Sequence, residues 1–364
     1  DHRDLHSFPT RRSSDLRGQL SPVYMTIATV VGVIPLIGEV ICWKSNTEHA
    51  MIKHLVSYGF SLFYTICLFT SPTNLIYVFV IPMIFVVGWR GEPGVHDEPQ
   101  HIYQGEVTIK LLEDMDIKPF IVGKETTEEE LKAAMDDFKT VLAQGKDAAF
   151  VIRKGALSYD EKVVYKNDNT MMREDIIRHI TDVSGEDPVI STTGKASREL
   201  FEIREAKKMS HKYDFLTVGS MGHSSSIALG VAESMPDTKI WCIDGDGAVL
   251  MHMGSMALLG ANAPKNMVHV LINNGAHETV GGMPTVGGNI DWIGVAKSCG
   301  YPNAVSVDTF EALDEALKAA KNRSELSLIE VKCSIGARED LGRPTTTALE
   351  NKENFMAYLK ELKG

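Results

Sequence analysis

The sequence predicts an α/β protein built on doubly wound, mostly parallel sheets. Three observations carry this. From residue 171 onward, strand-length and helix-length runs alternate to the end of the chain, the pattern of a parallel sheet covered on both faces. Two strand-like runs, Lys239 to Ile243 and Met267 to Ile272, flank a helix-like run over about Met251 to Ala263. A strand–helix–strand unit of this kind sets both strand ends on one edge of a sheet. Loops rich in Gly, Ser and Thr follow the strands, at the edge where such sheets bind ligands.

Taken in order, residues 1–16 lack periodicity, and His6 to Leu16 reads as a translated sequencing adapter. A twin-Arg signal at Arg11-Arg12 is disfavoured by the Ser-Ser-Asp that follows. Residues 17–80 are a doubtful apolar segment: two apolar stretches, about 23–42 and 59–89, the second running past it, are interrupted by Glu39 and by Pro35, Pro72 and Pro82. Three readings compete for them: a membrane anchor, a buried sheet and helix, or a broken reading frame. The last is favoured. From Ile81 the pattern is coherent. A buried-strand run to Trp89 leads into a polar loop, Arg90 to His101, with two His and three carboxylates, a candidate site. Gly105 to Asp116 reads helical, and Lys118 to Val122 as a strand. Thr127 to Glu130 forms a capping box opening a helix to about Gln144. Ala148 to Arg153 is a strand. Residues 81–156 form one domain part, 157–170 a polar linker, and 171–364 a second domain. In that domain, helices are expected over Met171–Gly185, from Ser197, after His223, over Asp291–Cys299, Thr309–Lys321 and from Asn351. Strands are expected at Pro188–Ser191, Phe215–Val218, near Val305 and over Ser327–Lys332.

The 364 residues allow two ordinary domains, and a hydrophobic content of 44% suffices for packed cores. A net charge of −11 argues against nucleic acid as a partner. Cys42, Cys67, Cys242, Cys299 and Cys333 are scattered without CxxC spacing, which fits a reducing, cytoplasmic location and no zinc site. The expected setting is therefore a cytoplasmic enzyme that does not use the membrane.

The chemistry concentrates at the central unit. Its edge carries one carboxylate, Asp246, one neutral amide oxygen, Asn274, and glycines that let backbone come close. Hard oxygen ligands of modest charge suit Mg²⁺ held jointly with a diphosphate, and glycines at a helix N-terminus suit the phosphates. Gly245-Asp246-Gly247, then 25 residues, then Asn273-Asn274 resembles the thiamine diphosphate fingerprint. That resemblance implies a thiamine diphosphate-binding fold in which Asp246, Asn274 and the carbonyl of Ala276 hold Mg²⁺.

Further stretches narrow the resemblance. Gly88 to His101, Ser191-Thr192-Thr193-Gly194-Lys195, Gly219-Ser220-Met221-Gly222-His223 and Gly342 to Thr347, with the central pair, are similar to the phosphonopyruvate decarboxylase family of phosphonate biosynthesis. The similarity runs over about residues 79–364. It implies a carboxy-lyase. In the reaction that the resemblance implies, the cofactor's thiazolium would supply the carbanion equivalent for decarboxylating the small-molecule 2-oxo acid 3-phosphonopyruvate to phosphonoacetaldehyde and carbon dioxide. It also implies a homo-oligomer whose sites lie between subunits, each pairing a pyrimidine-binding domain (here in part 81–156) with a diphosphate-binding domain (171–364). Backbone N–H groups at Thr193, Gly194, Gly245, Gly247 and Ala248 would bind the diphosphate. Met221 would wedge the cofactor into its bent shape, and the Gly219 carbonyl would meet its pyrimidine amino group. Arg90, Lys195 and Arg343 are candidates for the substrate's anionic group. His96, His101, His223 and His277 are candidates for proton transfer. The family's cofactor-activating glutamate has no match near Tyr24. Sulfopyruvate decarboxylase, an acetolactate-synthase-like carboligase and an inactive cofactor-binding remnant stand as alternatives.

Overall fold

The computed structural model describes residues 81–158 and 164–364. The expectations for residues 1–16 and 17–80, the missing glutamate among them, fall outside the described residues. The chain divides into two compact units, residues 1–158 and 159–364.

In the first unit, β1 (Ile84–Gly88), β2 (Ile117–Val122) and β3 (Asp147–Ile152) form a parallel sheet in the order β1-β3-β2. Two helices, α1 (Pro99–Asp114) and α2 (Glu128–Ala143), make the crossovers. Helix α2 starts at the expected capping box: the Thr127 hydroxyl accepts from the Glu130 N–H, and the Glu130 side chain accepts from the Thr127 N–H. Helix α1 corrects an expectation. It begins at Pro99, six residues before Gly105, so His101 lies in its first turn and not in a loop. Proline tolerates a first helical position because that N–H has no intrahelical partner.

The second unit carries a six-stranded, all-parallel sheet. Its strands are β4 (Val189–Ser191), β5 (Asp214–Leu216), β6 (Ile240–Gly245), β7 (Met267–Asn273), β10 (Asn303–Val307) and β11 (Ser327–Lys332), in the order β10-β11-β7-β6-β4-β5. A short antiparallel pair, β8 (Ala276–His277) and β9 (Met283–Pro284), projects beyond β7. The central strands β6 and β7 are buried on both sides, as helices on both faces require. Side chains of β6 alternate between two cores. Trp241 and Ile243 face α3 (Arg173–Ser184), α4 (Lys195–Ala206) and α9 (Phe310–Asn322). Ile240 and Cys242 face α5 (Ser224–Ser234), α7 (Gly254–Asn262), α8 (Trp292–Ser298) and α10 (Ala348–Lys363).

The single helix expected over Met251 to Ala263 is two, α6 (Asp246–Met251) and α7, separated at His252 and Met253. His252 has φ −137° and ψ 47°, outside the helical region. Gly222 approaches this break so closely that a Cβ there would stand 2.7 Å from both the Ala248 carbonyl oxygen and the His252 ring. Helix α4 begins at Lys195 and not at Ser197, because Gly194 takes φ 92° as its N-cap, a conformation open to glycine. Among the described residues, no helix is long and apolar enough to cross a membrane.

Candidate active site

Strands β4, β6 and β7 end side by side, and a pocket opens at their C-terminal edge within the second unit. It is lined by Thr192, Thr193 and Lys195 after β4, by Gly245, Asp246, Gly247 and Ala248 after β6, and by Asn274, Ala276 and His277 after β7. Met221 closes a side.

Asp246 is 2% exposed. Its Oδ2 accepts a short hydrogen bond from the Thr285 hydroxyl, and the backbone N–H groups of Gly247 and Asn274 favour its charged form. Burial pushes its pKa up, and these hydrogen bonds hold it back only in part. A buried carboxylate under that pressure favours a cation beside it. The Thr285 hydroxyl in turn accepts from the Gly287 N–H at 3.0 Å. Asn274 Oδ1 accepts from the Ala276 N–H at 3.0 Å, and its Nδ2 donates to Glu278 Oε2 at 2.9 Å. The amide orientation is thereby set, with oxygen on the Ala276 side.

Glu278 is the hub of a buried charge cluster. Besides Asn274, it accepts a short bond from Arg173 Nη1 and the Gly336 N–H at 2.8 Å, and Lys195 Nζ stands 3.7 Å from its Oε1. Arg173 also makes a bidentate pair with Glu199, at 2.7 and 2.8 Å. Burial works against the Arg173 charge, but Glu199 and Glu278 outweigh it and hold its pKa above the usual guanidinium value. Two cations and two carboxylates leave the cluster neutral, as a buried cluster must nearly be.

The site tests well against the diphosphate and metal implied by the motif. Thr192 Oγ1 lines the pocket and is buried without a hydrogen-bond partner, a donor awaiting an acceptor. Gly247 lets the His277 ring pack against the backbone at the pocket wall, since a Cβ there would lie 2.5 Å from that ring. The oxygens of Asp246, Asn274 and Ala276 form a hard donor set suited to Mg²⁺.

The structure therefore brings together Thr193, Lys195, Met221, Gly245, Asp246, Gly247, Ala248, Asn274, Ala276 and His277. Others named from the sequence lie apart from the pocket lining. Gly194 caps α4, and Gly219 turns the chain after β5 with φ 70°. His223 precedes α5, its Nδ1 3.1 Å from the Ser220 carbonyl and its ring against His252. Arg343 lies between β11 and α10. Arg90, His96 and His101 belong to the first unit. There Arg90 is held by Asp97 at 2.8 and 2.5 Å, the His96 carbonyl accepts from Lys154 Nζ at 3.3 Å, and His101 Nδ1 lies 3.5 Å from Gln104 Oε1. Sequence reasoning missed Thr192, Arg173, Glu278 and Thr285. Glu278 alone left a signal, as the only acidic residue in the loop that follows Asn274.

The comparisons with known proteins agree with this geometry. The C-terminal TPP binding domain of thiamine pyrophosphate enzymes matches residues 192–331, which span the pocket. Phosphonopyruvate decarboxylase of Streptomyces viridochromogenes is 31% identical over 309 residues, 80% of this chain and 76% of the relative. That of Streptomyces hygroscopicus is 30% identical over 311 residues, again 80% and 76%. Sulfopyruvate decarboxylase subunit beta of Methanococcus maripaludis is 33% identical over 191 residues, 52% of this chain and 99% of the relative. On the identity and coverage of the first two, the chain belongs to the phosphonopyruvate decarboxylase family, whose members are thiamine diphosphate-dependent carboxy-lyases.

Proposed function

We propose that the chain decarboxylates 3-phosphonopyruvate to phosphonoacetaldehyde with thiamine diphosphate and Mg²⁺. The observation that carries this is the convergence of Asp246, Asn274 and Ala276 with Thr193, Gly247 and Ala248 in one pocket, in a chain of this family. Bound there, the cofactor supplies the carbanion-stabilising thiazolium that side chains lack. The protein's own residues do the rest. Asp246, Asn274 and the Ala276 carbonyl hold Mg²⁺ against the diphosphate. Thr192, Thr193, Gly194, Gly245, Gly247 and Ala248 offer hydroxyl and N–H donors to its oxygens. Met221 and the Gly219 carbonyl orient the rings. Lys195, at the pocket wall, meets the substrate's anionic group, with Arg90 and Arg343 as further candidates. His277, whose ring lies over Gly247, is placed to move a proton, and His96, His101 and His223 are secondary candidates. The functional unit is a homo-oligomer with sites between subunits, acting in phosphonate biosynthesis.

The match to the sulfopyruvate decarboxylase beta subunit over 99% of its length favours one second reading, a sulfonate substrate. Both anions are tetrahedral and suit the same cations. The test is carbon dioxide release from 3-phosphonopyruvate, sulfopyruvate and pyruvate, with and without thiamine diphosphate and Mg²⁺. Turnover of 3-phosphonopyruvate above the others supports the proposal. Preference for sulfopyruvate transfers it to the second reading, and cofactor binding without carbon dioxide from any of them refutes both.

A further inference from the structure

A second group of ligating side chains lies inside the sheet and has no part in the cofactor reading. Cys242 on β6 and His269 on β7 are register partners on adjacent strands. Asp244 follows Cys242 by two residues and so shares its face, the face of α5, α7, α8 and α10. All three side chains are buried, at 0%, 0% and 1% exposure for Cys242, His269 and Asp244. Their ligand atoms all lie within 4.8 Å of one another.

Two of those atoms lack a hydrogen-bond partner, Asp244 Oδ2 and His269 Nε2. They stand 3.6 Å apart, too far for a hydrogen bond. The separation is close to the edge of a coordination tetrahedron, roughly 3.4 Å for bonds of about 2.1 Å. Their other atoms are anchored as metal ligands are: Asp244 Oδ1 accepts from the Gly245 N–H at 3.0 Å, and His269 Nδ1 lies 3.2 Å from the Tyr301 hydroxyl. The Ser224 hydroxyl, which acts on the Cys242 thiol, is buried and makes no hydrogen bond, which offers a fourth ligand. One thiolate and one carboxylate would cancel the charge of a divalent ion, so the filled site is neutral in the core. Sulfur, nitrogen and oxygen together suit zinc and exclude Mg²⁺, which selects oxygens alone. Asp244 also lines the pocket, giving the ion a way in.

Against the expectation of no zinc site drawn from the cysteine spacing, we propose that Cys242, Asp244 and His269 form a structural zinc site within the sheet, separate from the Asp246 and Asn274 site. It holds whichever substrate the pocket takes, and whether or not the pocket turns one over.

The test uses the full chain, purified without chelators. Elemental analysis should find about one zinc per chain that survives dialysis against excess Mg²⁺. Replacing zinc by cobalt(II) should give a thiolate-to-cobalt charge-transfer band, lost in Cys242→Ser and kept in Asp246→Asn. Cobalt at the oxygen-only site gives no such band, so the two sites are read apart. Absence of both zinc and band overturns the proposal, as does a band that persists in Cys242→Ser. Should that variant fail to fold, X-ray absorption on the zinc-loaded wild-type chain decides. One sulfur among nitrogen and oxygen neighbours supports the site, and none or two or more sulfurs overturn it.

Discussion

Replacing Glu278 by glutamine tests how the pocket presents Asn274. The Glu278 carboxylate accepts from Asn274 and Arg173 on one oxygen and from the Gly336 N–H on the other, which also faces the Lys195 ammonium at 3.7 Å. A glutamine can keep an acceptor on only one side. In either orientation its NH₂ group faces existing donors, and the cluster of Arg173, Lys195, Glu199 and Glu278 moves from neutral to one positive charge. Losing one charge-assisted hydrogen bond costs about 1.5–3 kcal/mol. Truncation to alanine, which also strands the Gly336 N–H and half of the Arg173 pairing, should cost about 3–5 kcal/mol. The effect on the metal is expected to be of similar size to that on folding. Where the glutamine nitrogen takes the Oε2 place, Asn274 Nδ2 loses its acceptor, and its amide is free to flip and lose the oxygen that the proposed Mg²⁺ needs. Removing such an outer partner weakens metal binding by about 10- to 100-fold. Titration of Mn²⁺ in the presence of thiamine diphosphate, followed by electron paramagnetic resonance, reads that loss directly, and a urea melt reads stability. A Glu278→Gln chain that is destabilised but binds Mn²⁺ as tightly as wild type would refute the reasoning.

Three more outcomes are expected. In Gly247→Ala, the new Cβ would lie 2.5 Å from the His277 ring, so the ring or the Gly247 backbone must shift at the wall of the diphosphate pocket. Cofactor binding, measured by calorimetry, should weaken about tenfold or more, ~1.4 kcal/mol, with little change in melting temperature. Arg204 and Asp214 form a bidentate pair at 2.9 and 2.8 Å with exposures of 0% and 1%; Arg204→Ala strands a buried carboxylate and should cost about 3–5 kcal/mol by denaturant melt, against far less for a variant in which both become apolar. In the first unit, the Arg90 hydrogen bond and the backbone N–H groups of Glu98 and Gly91 hold the Asp97 carboxyl well below the usual carboxylate range. Its folded-state pKa is depressed, so its contribution is complete above the unfolded carboxylate value of about 3.9 and is lost as pH falls below it. Asp97→Asn should flatten the acid limb of the stability curve by about 1 kcal/mol, and an acid limb identical to wild type would contradict the pairing.

The sequence alone was enough for the alternating architecture and for the Asp246 and Asn274 pair. Both depend on local information: apolar runs of strand length, and short motifs fixed to the ends of those runs. Thr193, Lys195, Met221 and His277 followed because each lies within a few residues of a strand end, and a parallel sheet aligns all its strand ends on one edge. Helix boundaries were less legible. The break at His252 lies where Gly222 approaches closely, and α1 starts early at Pro99. What only the tertiary structure decided is the partnership around the site. Arg173 comes from the start of α3, Glu199 from α4, Glu278 and Thr285 from the loop beyond β7, and Gly336 from beyond β11. Cys242, Asp244 and His269 read singly as ordinary strand residues until β6 and β7 are set in register. Periodicity records which way a side chain faces. Which groups meet across strands is set by packing and by the need to satisfy every buried charge and donor, and those constraints join residues as distant in sequence as Arg173 and Gly336, 163 positions apart.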